Sequence, residues 1–130
     1  MKTEWKLMYY EDENGYSEVL EYINSLKENE QVKLSAWITI LEEKGPNLPR
    51  PYSDFLEDGI HELRVKITGK QIRILYFFCY REFIILTNKF IKNTKKVPEK
   101  EIIKAIDMRN KFLKKYNNYE KLLEEYNENT

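Results

Sequence analysis

The chain has 130 residues, 42% of them hydrophobic and 14% aromatic, which suits one folded core and leaves no length for a second domain. Lysine plus arginine and aspartate plus glutamate stand equal at 22 each, so any site for a polyanion must come from the arrangement of charges and not from their sum. One histidine and one cysteine cannot assemble a zinc centre, and no run of about 18 apolar residues is present to span a bilayer. The opening MKTEWKLMYYEDENG lacks the apolar stretch and small-residue cleavage site of a signal peptide. A cytoplasmic protein with no membrane association is expected.

Trp5 to Tyr10 reads as a short strand. After the turn signal Asn14-Gly15, Ser17 can cap a helix whose buried stripe is Val19, Leu20, Ile23 and Leu26. A second helix follows Asn29, with Val32, Trp37, Ile40 and Leu41 as its apolar side, and ends at Gly45-Pro46. The two make a helical hairpin. Asn47 to Gly59 is a proline-rich connection. The pattern then changes to alternation, with strands expected over Ile60–Ile67, Gln71–Phe78 and Phe83–Lys92 as an antiparallel meander. Pro98 can open a helix, with Glu99 and Glu101 in its first turn and Ile102, Ala105, Ile106 and Phe112 at helical spacing. Asn117-Asn118 interrupts it, leaving residues 117–130 as an amphipathic or frayed tail. The expected fold is therefore a single α+β domain over residues 1–130: an antiparallel sheet of a short N-terminal strand plus a three-stranded meander, packed with an N-terminal helical hairpin and a C-terminal helix.

Charge is uneven along this plan. From Glu11 to Glu30 acids dominate, whereas from Arg64 to Lys96 the charged residues are all Lys or Arg except Glu82. If Gly69-Lys70 is the hairpin loop, Lys66 pairs with Arg73 and Arg64 with Leu75, which puts Arg64, Lys66 and Arg73 on one face. Leu63, Val65, Ile67, Ile72, Ile74, Tyr76 and Phe78 fall on the other. Continuing with Phe78 opposite Phe83 adds Ile84, Leu86, Asn88, Phe90 and Lys92 to the arginine face, with Asn88 opposite Arg73. Facing cations cost a few tenths to about 1 kcal/mol without an anion nearby, and a bound phosphate would supply one. The plain alternative is a solvated sheet face. Cys79, in an aromatic run, reads as a small packed side chain and not as a nucleophile.

The stretches GIHELRVKITGKQIRILYFF and LTNKFIKNTKKVPEKEIIKA resemble the RelE/ParE toxin superfamily, in particular its HigB-like, phage-derived branch, over Trp37 to about Tyr116. Glu62-Leu63-Arg64, then Arg73, then Phe90, Lys92, Thr94 and Lys96 match the three signatures. His61 stands where an aromatic is common, Asn88-Lys89 where His-Gly is frequent, and Asn93 where a second lysine usually sits. The resemblance implies a RelE-like fold and a type II toxin that cleaves messenger RNA on the ribosome without a metal or other cofactor, by attack of a ribose 2′-hydroxyl on the adjacent phosphate. It implies Arg73 on the scissile phosphate, Arg64 on that phosphate or its neighbour, and Lys92 for charge stabilisation and proton donation. Lys66, Lys89, Lys95 and Lys96 would then contact RNA. The general base stays open among Glu62, His61, Lys89 and Tyr76, and of these Glu62 alone shares the working face. A helix-turn-helix antitoxin is the implied partner. Two other functions fit the same residues: a gyrase-inhibiting ParE-type toxin, and a non-catalytic RNA-binding or regulatory module.

Overall fold

The computed structural model describes residues 4–93 and 95–129. The chain runs through β1 (Lys6–Tyr9), α1 (Glu18–Ser25), α2 (Glu28–Lys44), β2 (Ser53–Glu57), β3 (Ile60–Ile67), β4 (Lys70–Cys79), β5 (Phe83–Ile91), α3 (Glu99–Lys115) and α4 (Tyr119–Glu128). The class is α+β, as expected, but the sheet is five-stranded and mixed, in the order β1-β5-β4-β3-β2. β1 lies parallel to β5, with Lys6 beside Phe83 and Tyr9 beside Leu86, which corrects the all-antiparallel expectation. β2, which pairs antiparallel with β3, lies inside the segment read as a connection.

Helix ends follow local chemistry. The Ser17 hydroxyl accepts the Leu20 amide and caps α1. α2 ends where Gly45 takes a positive φ of 52°. Its buried stripe is Leu34, Ile38 and Leu41 with the carboxylate of Glu30, while Val32 is exposed, so the apolar side sits about one residue round from its expected position. Asn118 breaks the C-terminal helix and caps α4 by accepting the Lys121 amide. The tail folds back on the domain: Leu122 is fully buried, and Tyr119 and Tyr126 pack edge-on against Phe83.

Helices cover both faces of the sheet. On one, Val19, Ile23, Leu34, Ile38 and Leu41 pack against Leu63, Val65, Ile67, Ile72, Ile74, Tyr76, Ile84 and Leu86. On the other, Ala105, Phe112 and Leu122 pack against Ile60, Leu75, Phe77, Phe83, Ile85 and Phe90.

The registers decide which side chains share a face. In the first hairpin Ile67 pairs with Lys70 and Arg64 with Arg73. The loop is thus Thr68-Gly69, both with positive φ, as a type I′ turn requires. Sliding a two-residue loop by one position changes every pairing by two, so the expected alternation survives and only the partners change. In the second hairpin Cys79 pairs with Phe83, Phe78 with Ile84 and Tyr76 with Leu86. The register then slips, so that Ile74 faces Lys89 and Arg73 faces Phe90. Pairing Phe78 with Ile84 and not with Phe83 puts Ile84 and Leu86 on the α1/α2 face, against expectation, and the β-bulge that follows returns Asn88, Phe90 and Lys92 to the arginine face.

Candidate functional site

Arg64 and Arg73 stand directly opposite each other on neighbouring strands, on the face shared with α3. Like charges in that position repel, and the sequence expectation was that a ligand anion would relieve them. The protein supplies its own. Glu62, two residues before Arg64 on the same face and 1% exposed, accepts from Arg64 Nε at 2.9 Å and has its other oxygen 3.4 Å from Arg73 Nε. That second contact is close enough for an ion pair but not aligned as a hydrogen bond, and both atoms are buried without another partner. Arg73 donates from its terminal nitrogens to the Ile72 carbonyl at 3.3 Å and to Gln71 Oε1 at 3.0 Å. Burial pushes its guanidinium down from the ordinary value, Glu62 opposes this and Arg64 reinforces it.

The network extends to the sheet edge. Arg64 Nη2 donates to Asp54 Oδ2 at 3.1 Å, and the same oxygen accepts from Arg50 Nη2 at 3.1 Å. Guanidinium and carboxylate therefore alternate from Arg73 through Glu62, Arg64 and Asp54 to Arg50. Exposure rises along the chain of charges: the Arg73 side chain is 8% exposed, Arg64 27% and Arg50 76%. Neither Asp54 nor Arg50 was singled out from the sequence. Their one signal was the alternation of Ser53 to Glu57, hidden behind Pro49 and Pro51.

Lys66 is exposed and pairs across the hairpin with Gln71. The Lys92 amide donates to the carbonyl of that same Gln71, so the two lysines flank one row at the open end of the sheet, next to the row holding the two arginines. Lys92 is half-buried, and Lys95 and Lys96 are exposed on the following loop. Thr94 lies outside the described residues. Lys89 does not join the group, because the bulge turns it to the opposite face, where its ammonium sits 4.8 Å from the Tyr22 ring centre.

His61 and Tyr76 are also on the opposite face, stacked on each other with ring centres 5.3 Å apart. Burial holds the His61 imidazole below its ordinary value, Asp54 opposing, and pushes the Tyr76 phenol up to about 12. Asn88 is fully buried and donates both to the backbone carbonyl of Glu101 at 3.2 Å and to its carboxylate at 3.0 Å, fastening β5 to the first turn of α3. Cys79 is half-buried and its thiol is pushed up to about 12 by burial, which disfavours the thiolate a nucleophile requires. A cleft of about 640 Å³ lies elsewhere, between β1 and the C-terminal ends of α3 and α4.

Chemically, the arginine face is an anion site with part of its charge already balanced: Arg50, Arg64, Lys66, Arg73 and Lys92 against Asp54 and Glu62. Among the described residues no helix is long and apolar enough to cross a membrane, and no group of three or more His, Cys, Asp or Glu is placed to hold a metal ion.

No curated protein matches the chain. A family profile described as Phage derived protein Gp49-like (DUF891) matches residues 21–110, a span running from α1 through most of α3 that contains every charged residue of the site. The chain belongs to this phage-derived, toxin-like family, which sits in the context of the RelE/ParE-like toxins.

Proposed function

We propose that the protein is the toxin of a type II toxin–antitoxin pair of the HigB-like kind, a ribonuclease that cuts messenger RNA on the ribosome. The observation that carries this reading is the facing pair Arg64 and Arg73, beside Lys66 and Lys92 on a partly open stretch of the helix-covered face. An arginine fork matches a phosphate's oxygens and stays charged at any working pH.

In the proposed reaction the 2′-oxygen forms a bond to phosphorus and the bond from phosphorus to the 5′-oxygen breaks, leaving a 2′,3′-cyclic phosphate and a free 5′-hydroxyl. Arg64, the more exposed guanidinium, binds the scissile phosphate and takes up charge as the pentavalent state forms. Arg73 and Glu62 are positioning residues beneath it. Glu62 is a poor base, because guanidiniums face both its oxygens and it is shut off from solvent. Lys92 gives its proton to the departing 5′-oxygen, and the 2′-hydroxyl proton leaves to water. Lys95 and Lys96 follow the RNA backbone. The antitoxin of such a pair carries a helix-turn-helix domain and binds the toxin tightly enough to mask this face.

The chemistry of the cut ends tests the mechanism. Messenger RNA on programmed ribosomes, incubated with the purified chain, should yield upstream fragments ending in a cyclic phosphate and downstream fragments with a 5′-hydroxyl. Fragments bearing a 3′-hydroxyl and a 5′-phosphate would mean water, not the ribose, is the nucleophile, and would reject it. A second reading, a gyrase-binding toxin without nuclease chemistry, draws support from the pairing of both central arginines with carboxylates. It predicts growth arrest with intact transcripts.

A further inference from the structure

Arg50 has no place in the scheme above, yet its setting is specific. It is the most exposed cation of the network, with its side chain 76% exposed, and it stands in Pro49-Arg50-Pro51. Among the described residues its head is held by Asp54 Oδ2, which holds Arg64 at the same distance of 3.1 Å. One carboxylate oxygen thus gathers two guanidiniums at the β2 edge. Asp54 itself is anchored from below, in register with Glu62 on β3.

A carboxylate that accepts one hydrogen from each of two guanidiniums leaves most of their donors unused. Arg64 commits Nε to Glu62 and Nη2 to Asp54, and Arg50 commits only Nη2. The remaining N–H groups supply a fork for a second anion alongside the one Arg64 binds. Single-stranded RNA presents its phosphates in such a series, and each one neutralised adds to affinity and to its dependence on salt.

We propose that Arg50 is a second phosphate-binding residue, gripping the nucleotide next to the scissile one, and that Asp54 is a positioning residue that holds Arg50 and Arg64 at the spacing of adjacent phosphates. This rests on the ribonuclease reading. It adds that Asp54 lowers the site's raw affinity for RNA while raising its cleavage rate, because its charge opposes the ligand while its geometry aligns the two arginines.

The test uses fluorescence anisotropy with a single-stranded 2′-O-methyl oligoribonucleotide, which cannot be cut because the attacking hydroxyl is blocked, titrated with the full chain between 50 and 200 mM salt. Cleavage of messenger RNA on programmed ribosomes is measured in parallel. Arg50→Gln should bind more weakly and reduce the magnitude of the log–log salt slope by about 0.7, the contribution of one single-strand phosphate contact. Asp54→Asn should bind more tightly than wild type and cleave more slowly, a split that a merely structural role does not produce. Arg81→Gln, an exposed change at the β4–β5 turn, should alter neither. If wild type binds and cleaves while Arg50→Gln keeps the wild-type slope, or Asp54→Asn moves binding and cleavage in the same direction, the assignment of Arg50 and Asp54 is overturned and the ribonuclease reading stands. If wild type neither binds nor cleaves, both fall.

Discussion

Arg73 and Arg64 make different demands on the fold although they face each other. Arg73 is buried with its guanidinium spent on Gln71, a backbone carbonyl and Glu62, and truncating one partner of a buried pair leaves an uncompensated charge that costs about 3–5 kcal/mol. Arg73→Ala should therefore lower the urea midpoint sharply. Arg64→Ala, at a partly exposed position, takes the hydrogen bond from buried Glu62 but leaves it beside Arg73, and should cost about 1–3 kcal/mol while reducing cleavage about 100- to 1,000-fold, the scale for losing one well-placed charge-stabilising donor. Comparing the two variants' urea curves with their activities checks this. The Glu30 carboxyl accepts from the Thr68 hydroxyl at 2.9 Å and the Lys27 amide at 3.2 Å, and these hold it below the ordinary 4.5. Its folded value being depressed, its contribution to stability is complete above about pH 4.5 and is lost as pH falls through the lower folded value. Glu30→Gln should flatten the acid side of the stability profile below that pH and leave the neutral region nearly level.

At the scale of elements, the sequence made the alternation of β3 and β4 legible because one error left parity intact: whether the loop is Gly69-Lys70 or Thr68-Gly69, Arg64, Lys66 and Arg73 share a face. The bulge near Thr87-Asn88 was not legible. It inserts a residue into an even alternation of apolar side chains, and what stabilises it, Asn88 reaching Glu101 and Thr87 donating to the Leu75 carbonyl, is tertiary. β2 was hidden by the prolines before it, and the parallel placement of β1 is a pairing across more than seventy residues that no local pattern encodes. Nor did spacing reveal that Glu62 neutralises the arginines, since the resemblance presented it as a candidate base. The junction of α2 with β1 carries a prediction of its own. Gly45 has a positive φ and the Trp5 indole lies where a Cβ would project, so Gly45→Ala combines backbone strain with a steric clash. Of the glycine-to-alanine variants it should show the largest loss of melting temperature, and Gly69→Ala, with open space around it, should cost only the conformational term of about 1–2 kcal/mol.

The whole molecule carries no net charge, yet one end of one sheet face collects five cations around two carboxylates while the acids of the 11–30 segment lie elsewhere in the chain. Affinity for RNA should therefore be modest and steeply salt-dependent, set by a local patch and not by long-range attraction. The family, the two-sided helical cover and the open arginine end together make the nuclease reading the economical one, and the buried state of Arg73 makes Arg64 the variant that separates activity from folding. Primer extension on cellular transcripts after brief induction of wild type and of Arg64→Ala, at equal protein levels, distinguishes a nuclease from a gyrase-binding toxin. Wild type should give cuts within translated codons that disappear with Arg64→Ala. Growth arrest with uncut transcripts, or cuts that persist unchanged in Arg64→Ala, would contradict the nuclease reading.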